Sequence, residues 1–182
     1  MLAVRFHGRG GQGVVTSAEL LSVAAFLDGR HAQAFPSFGS ERTGAPVVAF
    51  CRVADRAIRS HEPIERPSVV VIQDPTLLHQ IDVFSGLDED GLALVNSTRS
   101  AGELGLEAGR VRTIPATELA REHLGRPMPG APMLGALAAA TGAVEVRSIE
   151  AAIRQRFEGQ VADGNAAAAH AAYDLVAEGA HA

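Results

Sequence analysis

The feature that most constrains the fold is the run RFHGRGGQGVVTS at positions 5–17, in which a strand leads through a glycine-rich loop into a helix. The strand is predicted over Leu2–His7. An apolar stripe at helical spacing then starts at Val14, and Gly29 is placed to end the helix. A strand, a glycine loop and a helix in this order are typical of nucleotide-binding α/β folds.

The three glycines Gly8, Gly10 and Gly13 match the pattern G-x-G-x-x-G. In dinucleotide-binding folds they allow a tight turn, a close approach of the backbone to pyrophosphate, and packing of helix on strand. An NAD site also needs an acidic residue roughly 20 residues further on. Asp28 falls at the helix end instead, and no carboxylate follows before Glu41. NAD or FAD binding is therefore disfavoured, while an anion site and a plain glycine turn both stay open.

The rest of the chain alternates between strands and helices. Further strands are predicted over Pro46–Val53, Ser68–Gln73, Gly91–Asn96 and Arg110–Ile114. This alternation predicts an α/β fold in which a Rossmann-like, mostly parallel sheet is flanked by helices. We expect a single domain over residues 1–182, because the length and the 47% of apolar residues are sufficient for one core.

The last third of the chain is predicted to be helical. Thr117, Ser148 and Asp163 are expected to cap three of its helices, and Met133–Thr141 is expected to form another. The alanine run at 166–169 predicts a close contact between helices.

Two segments are predicted to be irregular because they are rich in proline and glycine, namely residues 33–47 and 125–134. Asp74 and Asn96 follow predicted strands and should therefore lie at the same sheet edge as the glycine loop, although we favour turn formation as their role. Arg42 lies among small residues and is suited equally to an anionic ligand or to an ion pair.

Composition excludes several function classes. The net charge of −5 argues against nucleic acid as a partner. Cys51 is the only cysteine, which excludes an intrachain disulfide and any cysteine-held cluster. The seven histidines show no metal-binding spacing, and no complete catalytic set is present. No stretch is long and apolar enough to span a membrane and no signal peptide is evident, so we expect a cytoplasmic protein.

Several motifs together resemble one family. They are FHGRGGQGVVT, AQAFPSFGSERTGAPVVAF, VIQDPTLL, LGRPM with MLGA, and IEAAIRQRF. In this order and spacing they resemble the gamma subunit of 2-oxoacid:ferredoxin oxidoreductases, which act on pyruvate or 2-ketoisovalerate. The resemblance covers almost the whole chain. It departs at Thr43, where many relatives have arginine, and before MLGA, where an Asn-Thr pair is often found.

This resemblance implies a subunit of an enzyme that converts a 2-oxo acid, CoA and oxidised ferredoxin into acyl-CoA, carbon dioxide and reduced ferredoxin. The family's thiamine diphosphate, Mg2+ and [4Fe–4S] clusters belong to other subunits, so this chain is expected to bind none of them. Its implied partners are the alpha, beta and ferredoxin-like delta subunits, with ferredoxin as the electron acceptor. The 2-oxo acid itself stays open.

The resemblance also suggests where this chain contacts others, and it implies no catalytic residue or metal ligand here. The candidate residues form either a contact to CoA or a subunit interface, and they are Gly8, Arg9, Gly10, Gly11, Gln12, Gly13 and Arg42. For the stretch AFPSFGSERTGAP we favour the interface, because aromatic residues beside an arginine are common at the centres of protein contacts. The alternative function is a standalone nucleotide-binding or regulatory module.

Overall fold

The computed structural model describes residues 1–37 and 42–179. The strands run over Leu2–Arg9 (β1), His31–Pro36 (β2), Pro46–Ala54 (β3), Val69–Ile72 (β4), Leu92–Asn96 (β5) and Val111–Ile114 (β6). The α-helices run over Val14–Leu27 (α1), Ala116–Leu124 (α2), Gly130–Thr141 (α3), Val146–Arg156 (α4) and Gly159–Gly179 (α5). Short 3-10 turns follow β4 and β5, at Pro75–His79 and Gly102–Leu104.

The strands form one sheet in the order β2-β3-β1-β4-β5-β6. β1, β4, β5 and β6 run parallel to one another, whereas β3 lies antiparallel to both β1 and β2. The predicted fold class, a mostly parallel sheet with flanking helices, is confirmed.

The helices lie on one face of this sheet. All five contribute to a large apolar cluster with the inward residues of the strands, such as Val4, Phe6 and Leu94. A smaller cluster on the opposite face, around Val70, Ile72 and Leu77, is built from strands, loops and 3-10 turns. One layer of helices and one thin layer of loops therefore enclose the sheet.

The five predicted strands are confirmed within one or two residues at each end, but β2 was not predicted. Its last four residues fell within the segment 33–47, where proline and glycine predicted irregular chain. Pro36 is compatible with β2 because this strand lies at the edge of the sheet, where a missing backbone N–H breaks no ladder bond.

The three predicted helix caps were wrong. Thr117 and Ser148 lie inside the first turns of α2 and α4, and Asp163 lies in the second turn of α5. Two other elements provide the caps of α2 and α4. The side-chain carbonyl of Asn96 accepts from the backbone N–H of Thr117 at 3.1 Å. The carboxylate of Asp28 accepts from Glu145 N at 2.8 Å and from the Ser148 hydroxyl.

The alanine run contributes to the contact between α3 and α5, as predicted. A Cβ at Gly135 would lie 1.8 Å from the carbonyl oxygen of Ala169, so the two helices touch backbone to backbone.

Candidate functional site

The glycine loop lies at the carboxyl end of β1, beside the carboxyl end of β4. This edge of a parallel sheet is where α/β proteins bind ligands. Gly8 lies in a tight space, since a Cβ there would be 2.5 Å from Cγ2 of Val14, the first residue of α1. Gly8 thus allows the helix to pack closely on the strand, a role that the glycine pattern assigns to its third glycine, Gly13.

Gly10 approaches the chain itself. A Cβ at Gly10 would lie 2.2 Å from the carbonyl oxygen of Arg42. Its N–H donates to Ala45 O at 2.9 Å, and its carbonyl accepts from Gly44 N at 3.1 Å. An isolated bridge pairs it with Thr43. The space that a pyrophosphate takes in a dinucleotide fold is therefore filled here by the backbone of residues 42–45.

The outer part of the loop is open. Gly11 and Gly13 have positive φ values of 92° and 70°, and a Cβ at Gly11 would meet nothing within 4 Å among the described residues. Gly13 precedes the first turn of α1, which contains no acidic residue and no side-chain cap. The amides of this turn are the groups of the loop that an external anion could reach.

Arg9 is fully engaged within the chain. Its Nε pairs with the carboxylate of Asp74 at 3.2 Å. Its two terminal nitrogens donate to Gly44 O at 3.1 Å, to Thr76 Oγ1 at 2.7 Å and to Gln80 Oε1 at 2.8 Å. Each of the three guanidinium nitrogens thus has a partner, and the side chain fastens the loop to the 3-10 turn after β4.

Gln12 closes the same network. Its side-chain carbonyl accepts from Arg9 N at 2.7 Å, and its amide donates to Asp74 Oδ2 at 2.8 Å. Asp74 also accepts at Oδ1 from the backbone N–H and the hydroxyl of Thr76. Asp74 thus forms the turn predicted for it and in addition anchors the glycine loop.

The charge state of Asp74 suits this role. Burial alone raises the pKa of its carboxyl, but hydrogen bonds from Thr76 and Gln12 and the charge of Arg9 outweigh that effect. The pKa of Asp74 therefore lies below its ordinary value, and the carboxylate is ionised at neutral pH.

A row of buried polar groups lies behind the loop. The amide of Gln73 donates to Ser17 Oγ at 2.7 Å, and Ser17 Oγ donates to Gly13 O at 3.0 Å. The side chain of Asn96 donates to Gln73 O at 2.8 Å and to Thr117 Oγ1 at 2.8 Å. Asn96 therefore lies at the predicted edge, whereas Gln73 and Ser17 were missed. Gln73 could have been predicted as part of this edge, because it is a polar residue at the end of an apolar strand and directly precedes Asp74.

Arg42 is exposed beside this network, while its backbone is held in place. Its carbonyl accepts from Ala45 N at 3.0 Å and fills the space at Gly10. The segment is therefore fixed at its backbone and presents its side chain outward.

Phe35 is half-buried on β2. Its ring lies 5.1 Å from that of Phe50, and the Arg52 guanidinium lies 5.5 Å from its centre. Residues 38–41, which include the second phenylalanine of the predicted interface, lie outside the described residues.

The strand order argues against a dinucleotide site. In dinucleotide-binding folds the second strand lies beside the first and parallel to it, and an acidic residue at its end holds the ribose. Here β3 separates β2 from β1, and β2 ends at Pro36, followed by Ser37. The place beside the loop is occupied by residues 42–45, which lead into β3.

The side chains of Cys51 and His7, which could in principle take part in chemistry, are both buried. Burial raises the pKa of Cys51 to about 12, so its thiol is protonated at neutral pH. Burial, and then the nearby charge of Arg5, lower the pKa of His7 to about 4. Across residues 1–37 and 42–179 no group of three or more His, Cys, Asp or Glu residues is arranged to hold a metal ion. Within the same ranges, no helix has both the length and the hydropathy of a membrane span.

Comparisons with known proteins agree on one family. The family model for pyruvate ferredoxin/flavodoxin oxidoreductase matches residues 3–175. Pyruvate synthase subunit PorC of Methanothermobacter marburgensis is 49% identical over 174 residues, covering 96% of this chain and 97% of the relative. The pyruvate/ketoisovalerate oxidoreductases common subunit gamma of Pyrococcus furiosus is 47% identical over 178 residues, covering 96% of each chain.

A solved structure shows the same fold. The crystal structure of pyruvate oxidoreductase subunit PORC from Thermotoga maritima aligns with a TM-score of 0.83 at 38% identity, covering 95% of each chain. The resemblance seen in the motifs is thereby confirmed. This chain belongs to the pyruvate ferredoxin/flavodoxin oxidoreductase family, as a gamma subunit of a 2-oxoacid:ferredoxin oxidoreductase.

Proposed function

We propose that this gamma subunit carries no reacting group and acts as one domain that docks on the other subunits of a cytoplasmic complex. Thiamine diphosphate, Mg2+ and [4Fe–4S] clusters then belong to alpha, beta and delta subunits, with ferredoxin accepting the electrons. Support comes from the buried states of Cys51 and His7 and from the lack of a metal-binding group among the described residues.

The observation that carries the proposal is the attachment of residues 42–45 to the glycine loop. Gly10 has both backbone groups bonded and its open side filled by Arg42 O. Arg9 is bonded to Asp74 and to neighbouring oxygens of its own chain. We propose that the loop from Gly8 to Gly13 is a rigid base that presents Arg42 to a partner subunit.

A contact with CoA is the second candidate. The first turn of α1 has no acidic residue, and no side chain among the described residues caps its amides. Such a turn favours a phosphate group. Gly11 leaves its approach open on one side, whereas a Cβ at Gly13 would lie 3.7 Å from Cε of Met128. In this version Arg42 and the amides after Gly13 share one phosphate of CoA, and Arg9 takes no part.

Replacement of Arg42 separates the two candidates. We expect Arg42→Ala to reduce recovery of this chain with the co-expressed complex, since an interface arginine of this kind contributes about 2 kcal/mol, or roughly thirtyfold in affinity. The enzyme that does assemble should keep its KM for CoA. Arg112→Ala, at an exposed position on β6 at the far edge of the sheet, is the control and should change neither quantity.

The outcomes are distinct. An intact complex whose KM for CoA rises selectively would show that Arg42 contacts the ligand. A complex unchanged in both recovery and KM would contradict both roles.

Replacement of Gly10 tests whether the glycine loop supports residues 42–45. We expect Gly10→Val to push residues 42–45 away, because even a Cβ has no space there, and thereby to reduce assembly while the circular dichroism spectrum is kept. Gly109→Val is the matched control, since its Cβ meets nothing within 4 Å among the described residues. Normal assembly of Gly10→Val would show that the loop is only a turn.

A further inference from the structure

The strand β2 forms one edge of the sheet and pairs only with β3 among the described elements. In its register Phe35 lies opposite Phe50, and Ser37 N donates to Val48 O at 2.9 Å just beyond the strand. Because hydrogen-bonded pairs alternate in an antiparallel ladder, the backbone groups of residues 31, 33, 35 and 37 point towards β3. Those of Ala32, Ala34 and Pro36 therefore point outward.

This outer edge is suited to pairing with another strand. Ala32 and Ala34 each offer an N–H and a carbonyl. Pro36 offers a carbonyl, and its missing N–H disturbs nothing within the chain because this position also points outward. The strand HAQAFP contains no lysine, arginine, aspartate or glutamate. Exposed edges are commonly protected by such charges, but among the residues described at this edge only Pro36 and the short length limit pairing.

The outward pattern is self-complementary. If two copies meet antiparallel across a two-fold axis at Ala34, the N–H and carbonyl of Ala34 bond to those of Ala34 in the second copy. The N–H of each Ala32 then donates to the carbonyl of Pro36 of the second copy. The reciprocal bond to the Ala32 carbonyl is not formed, because Pro36 has no N–H. We infer that β2 pairs with β2 of a second copy of this chain, which joins the two sheets into one.

The side chains on the helix side fit this arrangement. Ala32 and Ala34 face α1, and a groove of about 670 Å³ lies beside Ala32, lined also by Val23 and Phe26. Phe26 is 74% exposed, although it is large and apolar. In the pair, Pro36 of the second copy lies next to Ala32 on this same face, at the groove, and it covers Phe26.

The side chains on the opposite face also match. Phe35 lies opposite Gln33 of the second copy, and Gln33 opposite Phe35, so no like charges meet across the axis. A strand of an unrelated subunit could use the same backbone groups. The second copy is favoured because its own pattern supplies an acceptor where one is needed and an apolar cover for Phe26.

Two opposite substitutions test the pairing in the full chain. We expect Ala34→Pro to weaken dimerisation roughly thirtyfold in sedimentation equilibrium, since it removes both central hydrogen bonds without breaking a bond to β3. Pro36→Ala should tighten dimerisation at least about tenfold, because it adds a donor towards Ala32 of the second copy. Thermal unfolding of each variant shows whether the fold is kept.

A cross-link extends the test to the co-expressed complex. Directly opposed residues in a hydrogen-bonded pair have Cα atoms about 5.5 Å apart, within the range of a disulfide. Ala34→Cys should therefore give a disulfide-linked dimer of this chain under mild oxidation, whereas the buried Cys51 should not cross-link. A wild-type chain that stays monomeric at all concentrations, or a Pro36→Ala chain that dimerises no better, would overturn the inference. So would a complex in which the introduced cysteine is cross-linked only to another subunit.

Discussion

Arg5 and His7 lie on the face of β1 that carries no helix. Arg5 is 8% exposed and donates to His7 Nε2 at 3.0 Å and to the carbonyls of Ile64 and Val83 at 3.4 and 3.1 Å. It thereby ties two loops to the sheet. His7 accepts that bond in its neutral form, and its Nδ1 has no partner within the described chain. The pair is a structural unit that depends on His7 staying unprotonated.

This dependence predicts a loss of stability in mild acid. The unfolded chain protonates His7 near pH 6.5, whereas burial and then the charge of Arg5 hold its folded pKa at about 4. The stabilisation is therefore complete above pH 6.5 and is lost as the pH falls from 6.5 towards 4, by up to about 1.4 kcal/mol per unit. His7→Gln cannot titrate, so urea unfolding at pH 7 and pH 5 should show about 2 kcal/mol less acid sensitivity than the wild type.

His170 provides a control of opposite sign. Its hydrogen bond with Glu150 raises its pKa despite partial desolvation, and the charges of Asp174 and Glu150 add to this. Its contribution is therefore present at low pH and lost as the pH rises through the folded pKa. His170→Gln should shift the pH dependence the other way from His7→Gln. Equal acid sensitivity in His7→Gln and the wild type would contradict the role of His7.

At the scale of elements, α3 and α5 form the closest helix contact. Gly135 lies in the middle of α3 with its open side against Ala169 O, where a Cβ would be 1.8 Å away. Both helices are rich in alanine, and Ala136, Ala166 and Ala169 are buried at 0–3% exposure. The short side chains let the backbones approach, and this contact holds the C-terminal helix on the sheet.

We expect Gly135→Ala to destabilise the fold by about 1–3 kcal/mol or more, because the added methyl forces two backbones apart. Helix propensity alone predicts the opposite sign, since alanine is favoured over glycine by about 1 kcal/mol inside a helix. The free energy of unfolding in urea shows which of these two effects is larger. Gly179→Ala, in α5 with no neighbour within 4 Å of its Cβ among the described residues, should be neutral or mildly stabilising. A stabilised Gly135→Ala would show that α3 and α5 separate at little cost.

Most elements could be predicted from the sequence, but the groups that cap the first turns of α2 and α4 could not. The apolar stripes that start at Val14 and at Ile149 identify α1 and α4, because periodic burial is a local pattern. The caps of α2 and α4 come from Asn96 and Asp28, which are far away in the chain. Thr117 and Ser148, which the local sequence predicted as caps, lie within the first turns instead. β2 was missed for the same reason, since only its edge position makes Pro36 acceptable.

At the scale of the whole molecule, the two faces of the sheet differ. Five helices and the large cluster cover one face, and loops with two 3-10 turns cover the other. Loop segments bury less apolar surface and open at lower free energy than packed helices. The two faces should therefore differ in local stability.

Hydrogen exchange should show this difference. We expect amides in residues 55–67, 75–91 and 97–110 to exchange through local opening, and those of β1, β4 and α3 to exchange only with global unfolding. Mass spectrometry measures the exchange of both groups of amides, in the isolated chain and in the co-expressed complex. Selective protection of the loop segments in the complex would indicate that partner subunits cover this face. Equal protection of both faces in the isolated chain would contradict the prediction.

The candidate site was predictable in part. The glycine pattern correctly located the loop at the end of β1, and Asp74 and Asn96 lie at the same edge as expected. The approach of residues 42–45 to Gly10 was not predictable, since it depends on β3 inserting between β2 and β1. No periodicity in the chain encodes that insertion. The bonds of Arg9 to Asp74, Thr76 and Gln80 likewise join residues that are distant in sequence.

The close approach at Gly10 shows what a glycine motif can and cannot indicate. A glycine indicates that some atom comes near the backbone, but it does not identify that atom. A phosphate oxygen and a peptide oxygen place the same demand on that position, because both need the volume that a side chain would occupy. In this chain the atom is the carbonyl oxygen of Arg42. The motif G-x-G-x-x-G here marks a place where the chain contacts its own backbone. The same motif forms a nucleotide site only when the neighbouring strand leaves that volume empty.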